Sequence, residues 1–161
     1  MTASTANQTL VADGIFRLGD DGRPVLFGSR CTNCDNHMFP RQSGCPKCMF
    51  DTQEDIELAQ SGTLWTWTVQ AFPPKAPPYL GPVGNDFEPY GVGYVELENQ
   101  VRVETRLTLA DPEQLQIGME MEIVAHTLTI DDDGNDVVTY AFAPAGDTGE
   151  RSNNEQNGDA S

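Results

Sequence analysis

All four cysteines of the chain lie within eighteen residues, as two Cys-x-x-Cys pairs: Cys31 with Cys34 and Cys45 with Cys48. Each pair can form a tight turn whose backbone amides point at sulfur, and two such turns complete a tetrahedral site of four thiolates. The spacing therefore predicts a structural Zn²⁺ site, although a rubredoxin-type iron site would use the same ligands. A thiol redox centre needs only one such pair, so the sequence favours a metal.

Few other residues could perform catalysis. Four thiolates fill the coordination shell of zinc, so the metal has no open position for a substrate. The two histidines, His37 in the cysteine spacer and His126, are interpreted as surface residues, and no nucleophile elbow, phosphate-binding glycine loop or zinc-protease motif is present. We therefore predict no catalytic residue in this chain, so any reaction must be hosted by another chain.

A proline-rich segment, AFPPKAPPYLGPVGNDFEPY at residues 71–90, links two predicted strands and holds six of the eleven prolines. Prolines stiffen such a loop and reduce the entropy lost on docking, while aromatic residues are enriched at interface hot spots. We interpret the segment as a docking arm. Its candidate partner-docking residues are Phe72, Tyr79, Phe87 and Tyr90.

The charge balance is strongly acidic, with 25 acidic and 9 basic residues, a net charge of −16 and only two lysines, Lys47 and Lys75. This field repels nucleic-acid phosphates, so we expect no nucleic-acid partner even though Trp65, Trp67 and Tyr94 could stack bases. Low lysine and high acidity are typical of proteins from salt-loving cells. No apolar run approaches a membrane span and the N-terminus has no basic start or apolar region, which predicts a cytoplasmic protein without a membrane partner.

Period-two alternation marks residues 61–143 as strands. In VRVETRLTL, Val101, Val103 and Leu107 alternate with Arg102 and Glu104, as in a sheet with one solvated face. The other predicted strands are SGTLWTWTVQAF, with Trp65 and Trp67 expected on one face, YGVGYVEL, MEMEIVAHT and DVVTYAFA. Before the fourth strand, a helical turn is expected from Asp111 to Gly118.

Five strands with one helical turn suit a small closed barrel, which leaves no open sheet edge. The predicted fold is mostly β: an N-terminal rubredoxin-like zinc ribbon followed by a five-stranded OB-fold barrel. An SH3-like barrel or a small sandwich stays open as an alternative. We expect a disordered N-terminus over 1–14, a zinc ribbon with its lead-in over 15–57, the barrel over 58–145 and a disordered acidic tail over 146–161. The lead-in, 15–30, is expected to form a hairpin or helix-turn around residues 19–22.

Several sequence segments together resemble those of the zinc-ribbon and OB-fold proteins associated with acyl-CoA and thiolase-type enzymes. They are the C-x2-C-x10-C-x2-C ribbon with Pro40-Arg41 inside it, then SGTLWTWTV, YGVGYVEL and LQIGMEMEI, in that order. The resemblance covers residues 15–143. The chain departs where Asp35 and Met49 follow the second and fourth cysteines, since family turns often place glycine there. Met49 is therefore expected to alter its turn.

The resemblance implies a non-catalytic accessory subunit that docks on and stabilises a thiolase-fold catalytic subunit in a hetero-oligomer. Acyl-CoA would be bound mainly by that partner. A two-subunit β-ketothiolase of acyl-CoA or polyhydroxyalkanoate metabolism fits this reading best. The alternatives are an accessory subunit of a lipid-transfer-protein-type aldolase and a stand-alone acyl-CoA or lipid-binding module. In the stand-alone module, Lys75 is the candidate cofactor-binding residue, as a contact for a coenzyme A phosphate.

Overall fold

The computed structural model describes residues 7–146, and the tail expected over 146–161 lies outside this range except for Gly146. Ten strands and one short 3₁₀ helix, Gly84–Asp86, are formed in the described part of the chain. The strands are β1 (Gln8–Leu10), β2 (Phe16–Leu18), β3 (Pro24–Cys31), β4 (His37–Met38), β5 (Gln53–Glu57), β6 (Ser61–Gln70), β7 (Tyr90–Leu97), β8 (Arg102–Leu107), β9 (Glu120–Ile130) and β10 (Asp136–Pro144). Within residues 7–146, no helix has the length and apolar character needed to span a membrane.

Strands β6 to β10 close into a five-stranded barrel. β6 pairs with β7 and β7 with β8, β8 lies parallel to β10, β10 is antiparallel to β9, and β9 returns to β6. Closure satisfies the backbone groups that an open sheet would expose at its edges. The predicted fold class, a zinc ribbon followed by an OB-fold barrel, is confirmed.

The barrel core follows the alternation predicted for β8. Val103 and Leu107 are buried, whereas Arg102 and Glu104 are exposed. These inward side chains meet residues from every barrel strand, and two residues of the β2–β3 hairpin, Phe16 and Leu26, complete the same cluster. The ribbon lead-in and the barrel therefore share one hydrophobic core.

The expectation that Trp65 and Trp67 lie on one face of β6 is wrong. The register with β7 shifts between Leu64 and Thr66, so Trp65 is the extra residue of a β-bulge. A bulge interrupts the period of two. Leu64 consequently faces the core and Trp65 faces solvent, while Trp67 packs partly against the core.

Two glycines of β7 allow close strand contact inside the barrel. A side-chain carbon added at Gly91 would lie 2.2 Å from the Leu109 carbonyl oxygen, and one at Gly93 would lie 2.7 Å from that of Thr66. Both glycines are buried. Glycine at these two positions of YGVGYVEL therefore leaves room for the neighbouring backbone, which a larger residue would not.

The ribbon begins as the hairpin expected in the lead-in. β2 and β3 pair antiparallel, and their turn is closed where the Gly22 amide donates to the Gly19 carbonyl at 2.9 Å. β3 also pairs with β4 and β5. Since β5 ends at Glu57 and β6 begins at Ser61 in another sheet, we propose to keep the domain boundary at 57/58.

The structure differs from the expectation of disorder over 1–14 in the part that it describes, residues 7–14, and residues 1–6 lie outside the described range. Residues Gln8–Leu10 form β1, which adds to β10 in parallel, and Leu10 and Val11 pack partly against the core. The Val11 amide donates to the Val138 carbonyl at 2.9 Å. β1 pairs with residues 136–138 of β10, which lie beyond the pairing of β10 with β8, and composition alone did not reveal this.

The segment before β9 forms one turn rather than a regular helix. The Asp111 carboxylate accepts the Glu113 amide at 2.9 Å, and the Asp111 carbonyl accepts the Leu115 amide at 3.1 Å. Gly118 ends the segment with a left-handed φ of 88°. The expected capping residue and stop residue therefore act as predicted, and Leu115 seals the end of the core.

Candidate metal centre and docking loop

The four cysteine sulfur atoms converge at one point of the ribbon. Cys31 ends β3, Cys34 follows in the next turn, and Cys45 and Cys48 lie in the turn before β5. All four Sγ atoms lie within 4.8 Å of one another, with Cys31 to Cys48 at 3.5 Å and Cys34 to Cys45 at 3.6 Å. Zn–S bonds of about 2.3 Å in a tetrahedron place sulfur atoms about 3.8 Å apart. The cluster therefore fits a single structural zinc ion.

Both cysteine turns have the same backbone geometry, which we call the knuckles: residues 31–35 and 45–49. The Asp35 amide donates to the Cys31 carbonyl at 2.9 Å, and the Met49 amide donates to the Cys45 carbonyl at 2.9 Å. Asp35 and Met49 have left-handed φ values of 59° and 65°. The expectation that Met49 would alter its turn is wrong, because the backbone accepts the strained conformation.

The pKa shifts of two cysteines show how the surroundings of each thiol favour or oppose its ionised form. Burial opposes ionisation of Cys31, but hydrogen bonds from the Cys34 and Asn33 amides help to lower its pKa to about 6. The Asn36 amide favours the Cys34 thiolate, yet burial and the neighbouring sulfur atoms raise the pKa of Cys34 to about 12. Four thiolates therefore need a cation among them, as expected of a metal site.

Arginine ion pairs tie the knuckles to the ribbon strands. Arg30 bonds Asp35 of the first knuckle and Glu54 of β5, both at 2.6 Å. Arg41 in the spacer bonds Asp55 at 2.8 Å and lies 5.1 Å from the centre of the Phe27 ring. These pairs are solvated, so they add little to stability and mainly fix the geometry of the ribbon.

The docking loop, residues 71–89 with Tyr90 at its end, presents only some of its aromatic residues to solvent. Phe72 is 70% exposed, whereas Tyr79, Phe87 and Tyr90 are half-buried. Phe87 and Tyr90 pack edge to face with ring centres 6.0 Å apart, and Tyr79 folds back beside Tyr90. The structure therefore brings Tyr79, Phe87 and Tyr90 together and leaves Phe72 apart.

Two aliphatic residues of the loop were not singled out from the sequence. Leu80 and Val83 are 51% and 49% exposed. The signal that could have found them is their position between prolines, where no strand or helix period requires an apolar residue. Together with Phe72 they form the exposed apolar surface of the loop.

The two histidines and Lys75 lie in three different parts of the fold. His37 lies in β4 of the ribbon and His126 in β9 of the barrel. Burial is the main cause that lowers the pKa of His126, and the Arg106 cation lowers it further, so the imidazole is neutral near pH 7. Lys75 is exposed in the loop. Its role as a phosphate contact stays a prediction.

The aromatic residues considered for base stacking are arranged differently from a stacking platform. Trp65 and Tyr94 meet edge to face with ring centres 6.2 Å apart, and the Arg102 guanidinium covers the Trp65 ring at 4.0 Å. Glu96 bonds Arg102, and Glu104 accepts the Tyr94 hydroxyl. An occupied ring face and two carboxylates argue against a nucleic acid here.

Comparison with known proteins finds similarity in both modules. Residues 22–54 match the family model described as ChsH2, rubredoxin-like zinc ribbon domain, and residues 55–126 match ChsH2, C-terminal OB-fold domain. A DUF35 domain-containing scaffold protein of Methanocaldococcus jannaschii is 36% identical, over 74% of this chain and 80% of that protein. The benzoylsuccinyl-CoA thiolase subunit BbsA of Thauera aromatica is 30% identical, over 76% of this chain and 78% of that subunit.

A solved structure shares the architecture. The chain matches a chain of the Ltp2-ChsH2(DUF35) aldolase with a TM-score of 0.55 and 27% sequence identity. The match covers 75% of this chain and 85% of that chain. The similarity thus spans ribbon and barrel together rather than either module alone.

Proposed function

This chain belongs to the DUF35 family of zinc-ribbon and OB-fold proteins, and from that membership we propose that it is a non-catalytic subunit of a thiolase-type acyl-CoA complex. It docks on the catalytic subunit, stabilises it and forms a hetero-oligomer with it. The acyl-CoA thioester is bound mainly by that partner. The reaction class is that of a β-ketothiolase or acetyl-CoA acyltransferase.

One observation carries the proposal: the similarity to a thiolase subunit covers 76% of this chain and 78% of that subunit. The match covers most of both chains, and we infer from it that the two proteins share a role. The relative's name describes it as a subunit of a thiolase, so its partner is the enzyme's other chain. We transfer this subunit role, and not the substrate, to the present chain.

The docking loop supports the proposal from geometry. Phe72, Leu80 and Val83 are about half or more exposed to water, although each would gain from burial. Burying a side chain of this size contributes about 1.5–3 kcal/mol. Six prolines restrict the loop before it binds, which reduces the entropy lost on association. We propose these three residues as the main contact with the catalytic subunit. Docking through the other predicted residues, Tyr79, Phe87 and Tyr90, stays a prediction.

The zinc ribbon supports a structural role. We propose Cys31, Cys34, Cys45 and Cys48 as the ligands of one zinc ion, which supplies folding free energy to a module too small to have its own core. Four thiolates leave the ion no open position, so the ribbon positions the knuckles and binds no substrate at the metal.

A second candidate is an accessory subunit of a lipid-transfer-protein-type aldolase. The match to the Ltp2-ChsH2(DUF35) aldolase favours it, and it uses the same docking role with a different catalytic partner. A stand-alone acyl-CoA-binding module is a third candidate, in which Lys75 contacts a phosphate. Calorimetry with acetyl-CoA on the isolated chain separates this candidate from the first two, which predict no measurable heat.

The test is co-expression with a thiolase-fold protein from the same genome, followed by size-exclusion chromatography with light scattering. We expect a stable hetero-oligomer and a catalytic subunit whose thiolase activity rises several-fold when this chain is present. A second co-expression, with an aldolase from the same genome, tests the second candidate function. If both partners are fully active alone and elute separately from this chain, the subunit role is wrong.

A further inference from the structure

Two arginines of β8 stack on aromatic rings, but only one has an acidic partner. Arg102 lies 4.0 Å from the Trp65 ring centre and its Nε bonds the Glu96 carboxylate at 2.6 Å. Arg106 lies 3.9 Å from the Tyr90 ring centre. Within residues 7–146, its guanidinium has no ion pair and no hydrogen bond, whereas the other arginines of that range each bond a carboxylate: Arg17, Arg23, Arg30, Arg41 and Arg102.

This arrangement is unusual for a chain with 25 acidic and 9 basic residues. Carboxylates greatly outnumber arginines, yet none is placed on the partly buried Arg106. A guanidinium that loses water without gaining hydrogen bonds costs free energy, and an external anion would recover it.

Arg106 lies in a groove with the size and lining of a small-molecule site. The groove has a volume of about 620 Å³, and ligand sites commonly measure about 300–1,000 Å³. Three tyrosines line it, Tyr79 from the docking loop, Tyr90 from β7 and Tyr140 from β10, and Val92 and Leu128 add aliphatic surface. Flat rings beside one cation suit a ligand with a planar apolar body and an acidic group.

Nearby acidic residues limit the charge of that group. Glu104 also lines the groove, and Asp86 and Glu88 line a neighbouring cavity of about 170 Å³ that shares Arg106. The negative charges lining these two cavities disfavour a doubly charged phosphate more than a singly charged carboxylate. His126, which lines the smaller cavity, is neutral near pH 7 and supplies no second cation.

A comparison with a second cavity of similar size shows why the assignment is specific. That cavity, about 610 Å³, lies between the ribbon and the β7–β8 turn and contains His37 and Arg102. Arg102 is already bonded to Glu96 there, so it has less to gain from a ligand. Of the two cavities, only the groove at Arg106 combines an unpaired cation with several aromatic rings.

We propose that the groove at Arg106 binds a small aromatic monocarboxylate, with the carboxylate on the Arg106 guanidinium, which already covers a face of Tyr90, and the ring against Tyr79. This binding site is independent of the proposed subunit role, because it requires only this chain. A bidentate guanidinium–carboxylate pair supplies orientation, and the tyrosines select for a flat body.

The test is titration of the full-length chain with benzoate, followed by heteronuclear NMR and calorimetry. We expect saturable binding with a millimolar dissociation constant and shift changes in the amides of Tyr90, Arg106 and Leu128. Arg106→Gln should weaken binding at least tenfold, whereas the matched variant Arg102→Gln, which also removes a stacked arginine, should leave it unchanged. Phenylphosphate should bind more weakly than benzoate.

Leu128→Glu gives a second variant that adds a carboxylate inside the groove, and it too should weaken benzoate binding at least tenfold. The NMR spectrum of each variant reports whether the barrel is folded. Absence of saturable shifts in the wild-type chain would overturn the proposal. So would unchanged benzoate affinity in a folded Arg106→Gln or Leu128→Glu variant, or tighter binding of phenylphosphate than of benzoate.

Discussion

Asp35 and Met49 occupy equivalent positions in the two knuckles, with φ values of 59° and 65° and the same 2.9 Å hydrogen bond to the first cysteine of each pair. A left-handed backbone costs a residue with a side chain about 1–2 kcal/mol. Asp35 also bonds Arg30, but Met49 is 82% exposed. The second knuckle therefore holds strain that side-chain packing does not offset.

Replacing Met49 should reveal that strain. Met49→Val, which adds a β-branch at a left-handed position, should lower the free energy of unfolding by about 1–2 kcal/mol. Met49→Gly should not lower it. Chemical denaturation of the zinc-loaded chain measures both. Phe50→Val serves as the control, because Phe50 is exposed and has no left-handed φ, so about 0.5 kcal/mol or less is expected. Equal losses at the two positions would contradict the strain.

Loss of one ligand should remove the metal. Cys45→Ser should reduce zinc content from about one ion per chain to a small fraction and should abolish ribbon folding, because zinc binding supplies about 10–16 kcal/mol in comparable modules. Plasma mass spectrometry and circular dichroism measure the two effects, and the visible absorption of a rubredoxin-type centre would reveal iron. Asn33→Ser, an exposed non-ligand in the first knuckle, should retain the metal. Full zinc content in Cys45→Ser would show that the site is assigned wrongly.

The sequence predicted the barrel strands because their alternation is local. Val103 and Leu107 can be assigned to one face from their spacing alone. The bulge at Trp65 and the docking of β1 depend on partners distant in the chain. Tyr94 pairs with Thr66 beside the bulge, and Val138 pairs with Leu10 of β1. Such pairings leave no periodic signal in the strand that receives them.

The metal centre and the groove at Arg106 also differ in how far the sequence predicts them. The cysteine spacing encodes the metal centre, since ligand identity and turn length determine it. The groove at Arg106 combines Tyr79 and Tyr90 of the loop region with Tyr140 of β10, which is parallel to β8. No linear pattern relates these residues. Within residues 7–146, the lack of an acidic partner for Arg106 is visible only in three dimensions.

Two glycines with similar contacts should respond differently to alanine. A side-chain carbon at Gly91 would lie 2.2 Å from the Leu109 carbonyl oxygen, whereas one at Gly81 would lie 2.3 Å from the Tyr79 hydroxyl. Backbone cannot move inside a closed barrel, so Gly91→Ala should cost at least about 1–3 kcal/mol. Gly81→Ala should cost little, because the Tyr79 side chain can rotate away. Thermal and chemical denaturation compare them, and equal costs would contradict the distinction.

The docking loop should affect association more than stability. Phe72→Ser should weaken binding to the catalytic subunit at least tenfold, because it removes a rigid apolar contact of about 1.5–3 kcal/mol. Its melting temperature should stay unchanged, since Phe72 is 70% exposed. Ile117 is also 70% exposed but lies outside the loop, so Ile117→Ser is the matched control. Interferometry with the co-expressed partner measures affinity. Equal weakening by both variants would mean that the loop is not the contact.

His126 should make the barrel sensitive to acid. Its pKa in the folded chain is lowered, chiefly by burial and further by Arg106, from an ordinary value of 6.5. The unfolded chain therefore binds a proton first as pH falls through about 6.5, and stability decreases from there down to the folded pKa. His126→Gln should remove this component: relative to wild type, its stability should improve between pH 7.5 and pH 5.5. Arg106→Gln should raise the His126 pKa in an NMR titration. A His126 pKa at or above about 6.5 in the wild-type chain would refute this assignment.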